Sequence, residues 1–168
     1  MRIKERRSSW FAGLGLAALA LQGPASAQGP AGDTVSWTAT ASPAKAGGRV
    51  SITLTGTVRA GWHVYALKQL QSGPTPLRVT LDANDVAEVA GAPTGSKPVV
   101  AHDPAFGFDT PYYTGNFSIT IPAKLNAKAA GGRQSVPVSV RFQTCNGATC
   151  QPPRTVKIAA PVQIGAGT

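Results

Sequence analysis

Between Arg49 and Val58 the chain alternates, with Val50, Ile52 and Leu54 on one side and Ser51, Thr53 and Thr55 on the other. A period of two puts successive side chains on opposite faces of an extended backbone, so this segment predicts a strand with one face in a core. The same period, rich in β-branched residues, recurs at 34–40, 62–66, 77–81, 86–89, 116–121, 135–144 and 154–164. Turn formers separate these runs: Gly47-Gly48, Gly73-Pro74-Thr75-Pro76, Asp82-Ala83-Asn84-Asp85, Gly91-Ala92-Pro93 and Gly131-Gly132. No segment carries a helical stripe of useful length, and 123–130 makes at most a turn or two of helix. Seven to nine short strands at this spacing predict one all-β domain, a β-sandwich. The longest stretch without strand character is 91–114. It holds Pro93, Pro98, Pro104 and Pro111 beside Phe106, Phe108, Tyr112 and Tyr113. A loop of that length is usually functional, and its rings need a surface to pack on.

Composition agrees and adds an address. Gly and Pro number 19 and 14 in 168 residues, and only 14% of residues are charged. Long-helix and disordered architectures are thereby excluded. The start of the chain reads differently from the rest. Arg2, Lys4, Arg6 and Arg7 precede an apolar run from Trp10 to Leu21, and Ala25-Ser26-Ala27 supplies small residues for cleavage. Residues 1–27 are therefore expected to be a signal peptide, leaving 28–168 as a single exported domain with a loose lead at 28–33 and a frayed tail after Ile164. Arg6-Arg7 leaves the twin-arginine route open beside general secretion. No later segment is apolar for long enough to span a bilayer, so no membrane insertion is expected after the signal is removed. The remaining bases, among them Lys45, Arg49, Arg59, Lys68, Arg78 and Lys97, stand singly. A nucleic-acid groove would cluster them with aromatics, so nucleic acid is not an expected partner.

The chemistry concentrates in Phe142-Gln143-Thr144-Cys145-Asn146-Gly147-Ala148-Thr149-Cys150-Gln151-Pro152-Pro153. In an oxidising compartment the two cysteines are able to pair, and Asn146-Gly147 is a strong hairpin former. Two readings follow from the residues. A loop this short removes about 2 kcal/mol of unfolded-state entropy, near the low end for a disulfide, which is a weak return for a staple. A pair at one hairpin tip instead suits a bond that opens and closes without unfolding the domain. A zinc site using His63 or His102 is a poorer fit, because the spacing is loose and the histidines are remote in sequence. No Lys or Arg lies nearer to either cysteine than Arg141 and Arg154, each four residues away, and no helix N-terminus is predicted there. Free thiols at this site are expected to be sluggish without a partner.

At these residues the chain resembles the N-terminal periplasmic domain of the thiol:disulfide interchange protein DsbD. Gly61-Trp62-His63-Val64-Tyr65 is similar to the family's Gly-aromatic-x-x-Tyr strand, and Gly73-Pro74-Thr75-Pro76-Leu77 to the loop after it. The resemblance covers about residues 34–164. It implies an immunoglobulin-like sandwich of two antiparallel sheets and a redox-active pair, with Cys150 attacking and Cys145 resolving. It also implies a cap at His102-Asp103-Pro104-Ala105-Phe106-Gly107-Phe108, with Phe106 as the shielding ring, Phe108 as second choice, and His63 and Tyr65 lining the site. The partners implied are a membrane-embedded thiol reductase as donor and periplasmic thioredoxin-like proteins as acceptors, with no cofactor and no metal. Two other classes remain open. One is a non-catalytic immunoglobulin-like binding or assembly module with a structural disulfide; the other is a chaperone-like accessory using a sheet edge. Ala105 departs from the larger or charged residue expected in the cap. Full-length relatives continue into transmembrane helices and a thioredoxin domain.

Overall fold

The computed structural model describes residues 33–70 and 72–165 of the 168. The signal expected at 1–27, the lead expected at 28–33 up to residue 32, and the tail expected after Ile164 from residue 166 on lie outside the described residues. All regular structure among those described is extended: β1 (Val35–Ala41), β2 (Ala44–Lys45), β3 (Arg49–Val58), β4 (His63–Tyr65), β5 (Arg78–Leu81), β6 (Ala87–Val89), β7 (Thr94–Gly95), β8 (Val99–Asp103), β9 (Phe108–Tyr113), β10 (Asn116–Leu125), β11 (Gly132–Phe142), β12 (Thr144–Cys145) and β13 (Arg154–Gly165).

Three sheets form. The first runs β1-β3-β10-β6, with β7 also on β10; the second runs β2-β13-β11-β5; a smaller ribbon runs β12-β4-β9-β8. The short β2–β13 contact is parallel. The other pairings are antiparallel. The period-2 pattern explains the layering. Ile52 and Leu54 of β3 and Ile119 and Ile121 of β10 are buried beneath the first sheet, while Val136, Val138 and Val140 of β11 and Val162 of β13 are buried beneath the second. These faces close on one another as a single core. Trp37 of β1 meets Phe117 edge-on at 5.4 Å and Phe142 at 5.5 Å, joining the sheets where β11 runs on toward β12. Phe117 sits opposite Gly56 in the ladder, and a Cβ there would stand 2.5 Å from its ring. Only glycine leaves room for that ring to lie on the neighbouring backbone.

The all-β immunoglobulin-like sandwich is thus present, with a third sheet beside the two expected. The segment 91–114 is not a long loop. It contributes β7 to the first sheet and folds into the β8–β9 hairpin at the edge of the ribbon. Pro98 precedes β8 and Pro104 lies in the hairpin turn, whereas Pro111 stands inside β9, where its carbonyl accepts the Ala66 N–H at 2.9 Å. Strand β10 continues through Pro122 to Leu125, so residues 123–125 are strand, and only a turn follows, where the Ala129 N–H donates to the Asn126 carbonyl at 3.0 Å.

Candidate active site

Leaving β11 at Phe142, the chain enters the ribbon, where Thr144 and Cys145 pair with Val64 and His63 of β4. Asn146 builds the turn that follows. Its N–H donates to the Thr149 carbonyl at 3.1 Å, and its Oδ1 accepts from the N–H groups of Ala148 and Thr149 at 3.1 and 2.8 Å. Gly147 takes φ +83°, a left-handed conformation that glycine adopts without strain. The return strand brings Cys150 opposite Cys145, and the two are disulfide-bonded with Cα atoms 4.1 Å apart. They are not equivalent. Cys145 is fully buried, whereas Cys150 is partly exposed.

Beneath the pair lies a buried polar cluster. Tyr65 of β4 has its hydroxyl 3.9 Å from Cys150 Sγ and donates to Asp103 Oδ2 at 2.7 Å. Thr110 of β9 donates to the same oxygen at 3.4 Å, and the Ala105 N–H donates to Oδ1 at 2.9 Å. His63 Nε2 lies 3.4 Å from Asp103 Oδ2 without hydrogen-bond alignment. Its ring lies against Tyr112 at 4.5 Å and edge-on to Tyr65 at 5.0 Å. Burial by itself would raise the Asp103 pKa. The hydrogen bonds from Tyr65 and Ala105, with His63 and Thr110, outweigh it and hold the carboxyl below its ordinary value. Burial pushes His63 below the usual histidine range, and Asp103 offsets only part of that. Burial, then the hydrogen bond to Asp103 and its charge, drive the Tyr65 hydroxyl far up. Near neutral pH the cluster therefore carries one buried negative charge, on Asp103, with Tyr65 and His63 neutral.

Over the cluster sits the four-residue turn Pro104-Ala105-Phe106-Gly107 that joins β8 to β9. The Phe106 and Gly107 N–H groups donate to the Asp103 carbonyl at 3.1 and 2.8 Å, and Gly107 takes φ +75°. Phe106 stands edge-on to Tyr65 at 5.6 Å, and Phe108 follows 6.1 Å from Phe106.

The disulfide closes a hairpin tip, with Cys150 Sγ 3.9 Å from the Tyr65 hydroxyl. The family described as thiol:disulfide interchange protein DsbD, N-terminal, matches residues 34–161. The chain belongs to that family. Among solved structures it is similar to the reduced N-terminal domain of DsbD from Neisseria meningitidis. That likeness has 21% identity over 65% of this chain and 74% of that one, with a TM-score of 0.46. It is also similar to the N-terminal periplasmic domain of ScsB from Proteus mirabilis, at 17% identity over 73% of this chain, with a TM-score of 0.46. The match spans 44% of that ScsB chain. No curated protein sequence matches. The bonded pair of this DsbD N-terminal domain fits the thiol–disulfide exchange that the family description names. No helix among the described residues is long and apolar enough to cross a membrane.

Within the domain, Cys145, Cys150, His63, Tyr65, Asp103 and Phe106 converge on one spot, and Phe108 stands one ring further out. His102 is exposed beside them. Sequence reasoning gave no part to Thr110, which is fully buried against Asp103, and left Tyr112 as an unplaced ring. A threonine in a strand looks like any other β-former, so Thr110 carried no signal. Tyr112 could have been found by pairing β9 with β4, which sets it opposite Tyr65.

Proposed function

We propose that this DsbD N-terminal domain relays reducing equivalents in the periplasm, from a membrane-embedded thiol reductase to thioredoxin-like proteins. In the loading step a donor thiolate attacks Cys150 Sγ, the Cys145–Cys150 bond breaks, and Cys145 leaves as a thiolate that takes a proton. The donor's second thiol then attacks the mixed disulfide. The donor departs as a disulfide, and the domain holds two thiols and two electrons. In the unloading step Cys150, as thiolate, attacks the acceptor disulfide, and Cys145 resolves the intermediate. Electrons move between sulfurs throughout, so the reaction calls for no metal or organic cofactor. Residues 1–27 serve as the export signal, and 28–168 act as one domain.

The observation that carries the division of roles is the unequal burial of the pair: a partner's sulfur reaches Cys150, and Cys145 lies behind it. Tyr65, His63 and Asp103 form the floor, with Phe106 and then Phe108 as the cap. Asp103 brings negative charge and no cation near Cys150, which disfavours a free thiolate and suits a relay that reacts only when a partner is docked.

Trapping tests the assignment. Cys145→Ala should accumulate a mixed disulfide with a thioredoxin-like protein through Cys150, and Cys150→Ala should trap tenfold less or lower, about 1.4 kcal/mol in relative terms. Equal trapping would overturn the roles. If the wild-type disulfide is left intact by reduced thioredoxin-like proteins, as counted by free thiols, the binding-module reading replaces the relay.

A further inference from the structure

Apart from tyrosines, the fully buried polar side chains among the described residues are Thr34, Asp103, Thr110 and Thr144. Two belong to the cluster beneath Cys150. The other two meet elsewhere, at the root of the redox hairpin. Thr34, just before β1, has its Oγ1 3.2 Å from that of Thr144, and both hydroxyls reach Gln151 Oε1, at 3.3 and 3.1 Å. Two hydroxyl hydrogens make two of these three contacts at a time: both to the amide oxygen, or one between the hydroxyls and one to the amide. Thr144 immediately precedes Cys145 and Gln151 immediately follows Cys150, so the cluster ties together the two legs of the hairpin. A second tie runs alongside it. Asp33 Oδ1 pairs with an Arg154 guanidinium nitrogen at 2.7 Å, and that guanidinium lies over the Phe142 ring at 5.0 Å.

Burying hydroxyls costs free energy that apolar side chains of similar shape would avoid, so a polar cluster at this spot calls for a reason. We propose that Thr34, Thr144 and Gln151 are positioning residues that keep the two cysteine sulfurs together while the bond between them is open, and so set the redox equilibrium of the pair. In the oxidised domain the covalent bond already fixes the hairpin root. In the reduced domain that constraint is gone. Across the hairpin root, Cys145 and Cys150 are then kept together by the Thr34–Thr144–Gln151 cluster and the Gln151 N–H bond to the Thr144 carbonyl at 2.9 Å, while Asn146 holds the tip and the Asp33–Arg154 pair lies alongside. Without the cluster the open hairpin spreads, one thiol meets the other less often, and closing the disulfide costs more chain entropy. The inference rests on the proposed relay only in taking this bond as one that opens in service.

Equilibration of the full chain with glutathione tests it. One glutathione thiolate attacks Cys150 Sγ and releases Cys145, and a second attacks the mixed disulfide. The products are the protein dithiol and oxidised glutathione, with two electrons and two protons passed to the protein. The fraction oxidised is read by alkylating free thiols. In a Thr34→Val, Thr144→Val double variant the constant for disulfide formation should fall about fivefold to tenfold, a potential higher by about 20–30 mV at 29.6 mV per tenfold. Thr34→Ser with Thr144→Ser keeps both hydroxyls and should stay at the wild-type constant. Gln151→Leu supplies the same test at a partly exposed position should the valine variant fail to fold, and the same direction of shift is expected. A cluster that merely supports the fold would lower the melting temperatures of the oxidised and reduced forms alike and leave the constant unchanged. That result would overturn the proposal, and so would a serine variant shifted as far as the valine one. Glutathione replaces every protein partner here, so a domain that never exchanges with thioredoxin-like proteins would sink the relay and leave this measurement standing.

Discussion

The sandwich and the ribbon bury different things. Between the two large sheets the interior is aliphatic and aromatic, with Ile52, Leu54, Ile119, Val138 and Val162 essentially inaccessible. Against the ribbon lie Thr34, Asp103, Thr110 and Thr144, all buried, and a disulfide with one sulfur-bearing residue open to solvent. Apolar burial is where a small domain gains its stability, and buried polar groups return little once hydrogen-bonded. The ribbon shares the common core through Val64 and Tyr113, yet the buried polar groups and the disulfide gather at it and not between the two large sheets. A redox bond placed there is expected to break without opening the core.

The sharpest way to break that separation is to damage each half and compare. Leu54→Ala, in the sandwich, should cost about 2–5 kcal/mol in denaturant unfolding. The Cys145→Ala, Cys150→Ala double variant, in the ribbon, should cost about 2 kcal/mol and still refold cooperatively. A double variant that cannot refold would show that the two halves are not independent. A smaller effect sharpens the ribbon side. Phe106→Ala should speed alkylation of the reduced cysteines severalfold and change stability little, because it alters access rather than charge. Phe108→Ala should do less, since its ring stands one place further from Tyr65. The reverse order would move the cap two residues along.

The smallest effect is in pH. His63 is held below its ordinary 6.5, so between the folded value and 6.5 the unfolded chain binds a proton that the folded chain does not. Stability should therefore decline as pH falls below 6.5 and stop declining below the folded value. Asp103, held below its ordinary 3.8, contributes stability that is present above that value and lost as pH falls through its lower folded one. His63→Gln should flatten the upper limb and keep the acid limb, as read from melting temperatures across the range. An unchanged upper limb would detach His63 from the floor.

Much of the sandwich was legible because its strands bury one face only. The 49–58 run matches β3 end to end, and 154–164 falls one residue short of β13. The ribbon was harder to read. Strand β8 exposes both Val99 and Val100 and has one partner, so no alternation marks it, and the prolines around it look like breakers. The 116–121 run stops four residues short of β10, which continues through Pro122, whose carbonyl takes the Ala90 N–H at 2.9 Å. The cysteine hairpin was legible from Asn146-Gly147 and its flanks. The floor residues His63 and Tyr65 came from a family likeness, since nothing in their local pattern points at sulfur. Thr34 and Thr144 looked like ordinary strand residues, because burial of a hydroxyl depends on what the fold brings across to it.

Asp103 serves two structures at once, and this limits how the roof can move. One oxygen and its own carbonyl hold the turn, through Ala105, Phe106 and Gly107, while the other oxygen is committed to Tyr65 and Thr110 below. It is a post set beneath the turn, and the Phe106 ring leans edge-on against Tyr65 beside it. A docking partner that turned the ring aside would forfeit its contacts with Tyr65 and Phe108, each about 0.5–1.5 kcal/mol, and leave the post standing. Work of that size is within reach of a single well-placed side chain on the visitor. On the proposed reading of Phe106 as the cap, the ring would yield to a brief encounter and fall back while the Asp103 hydrogen bonds stay made.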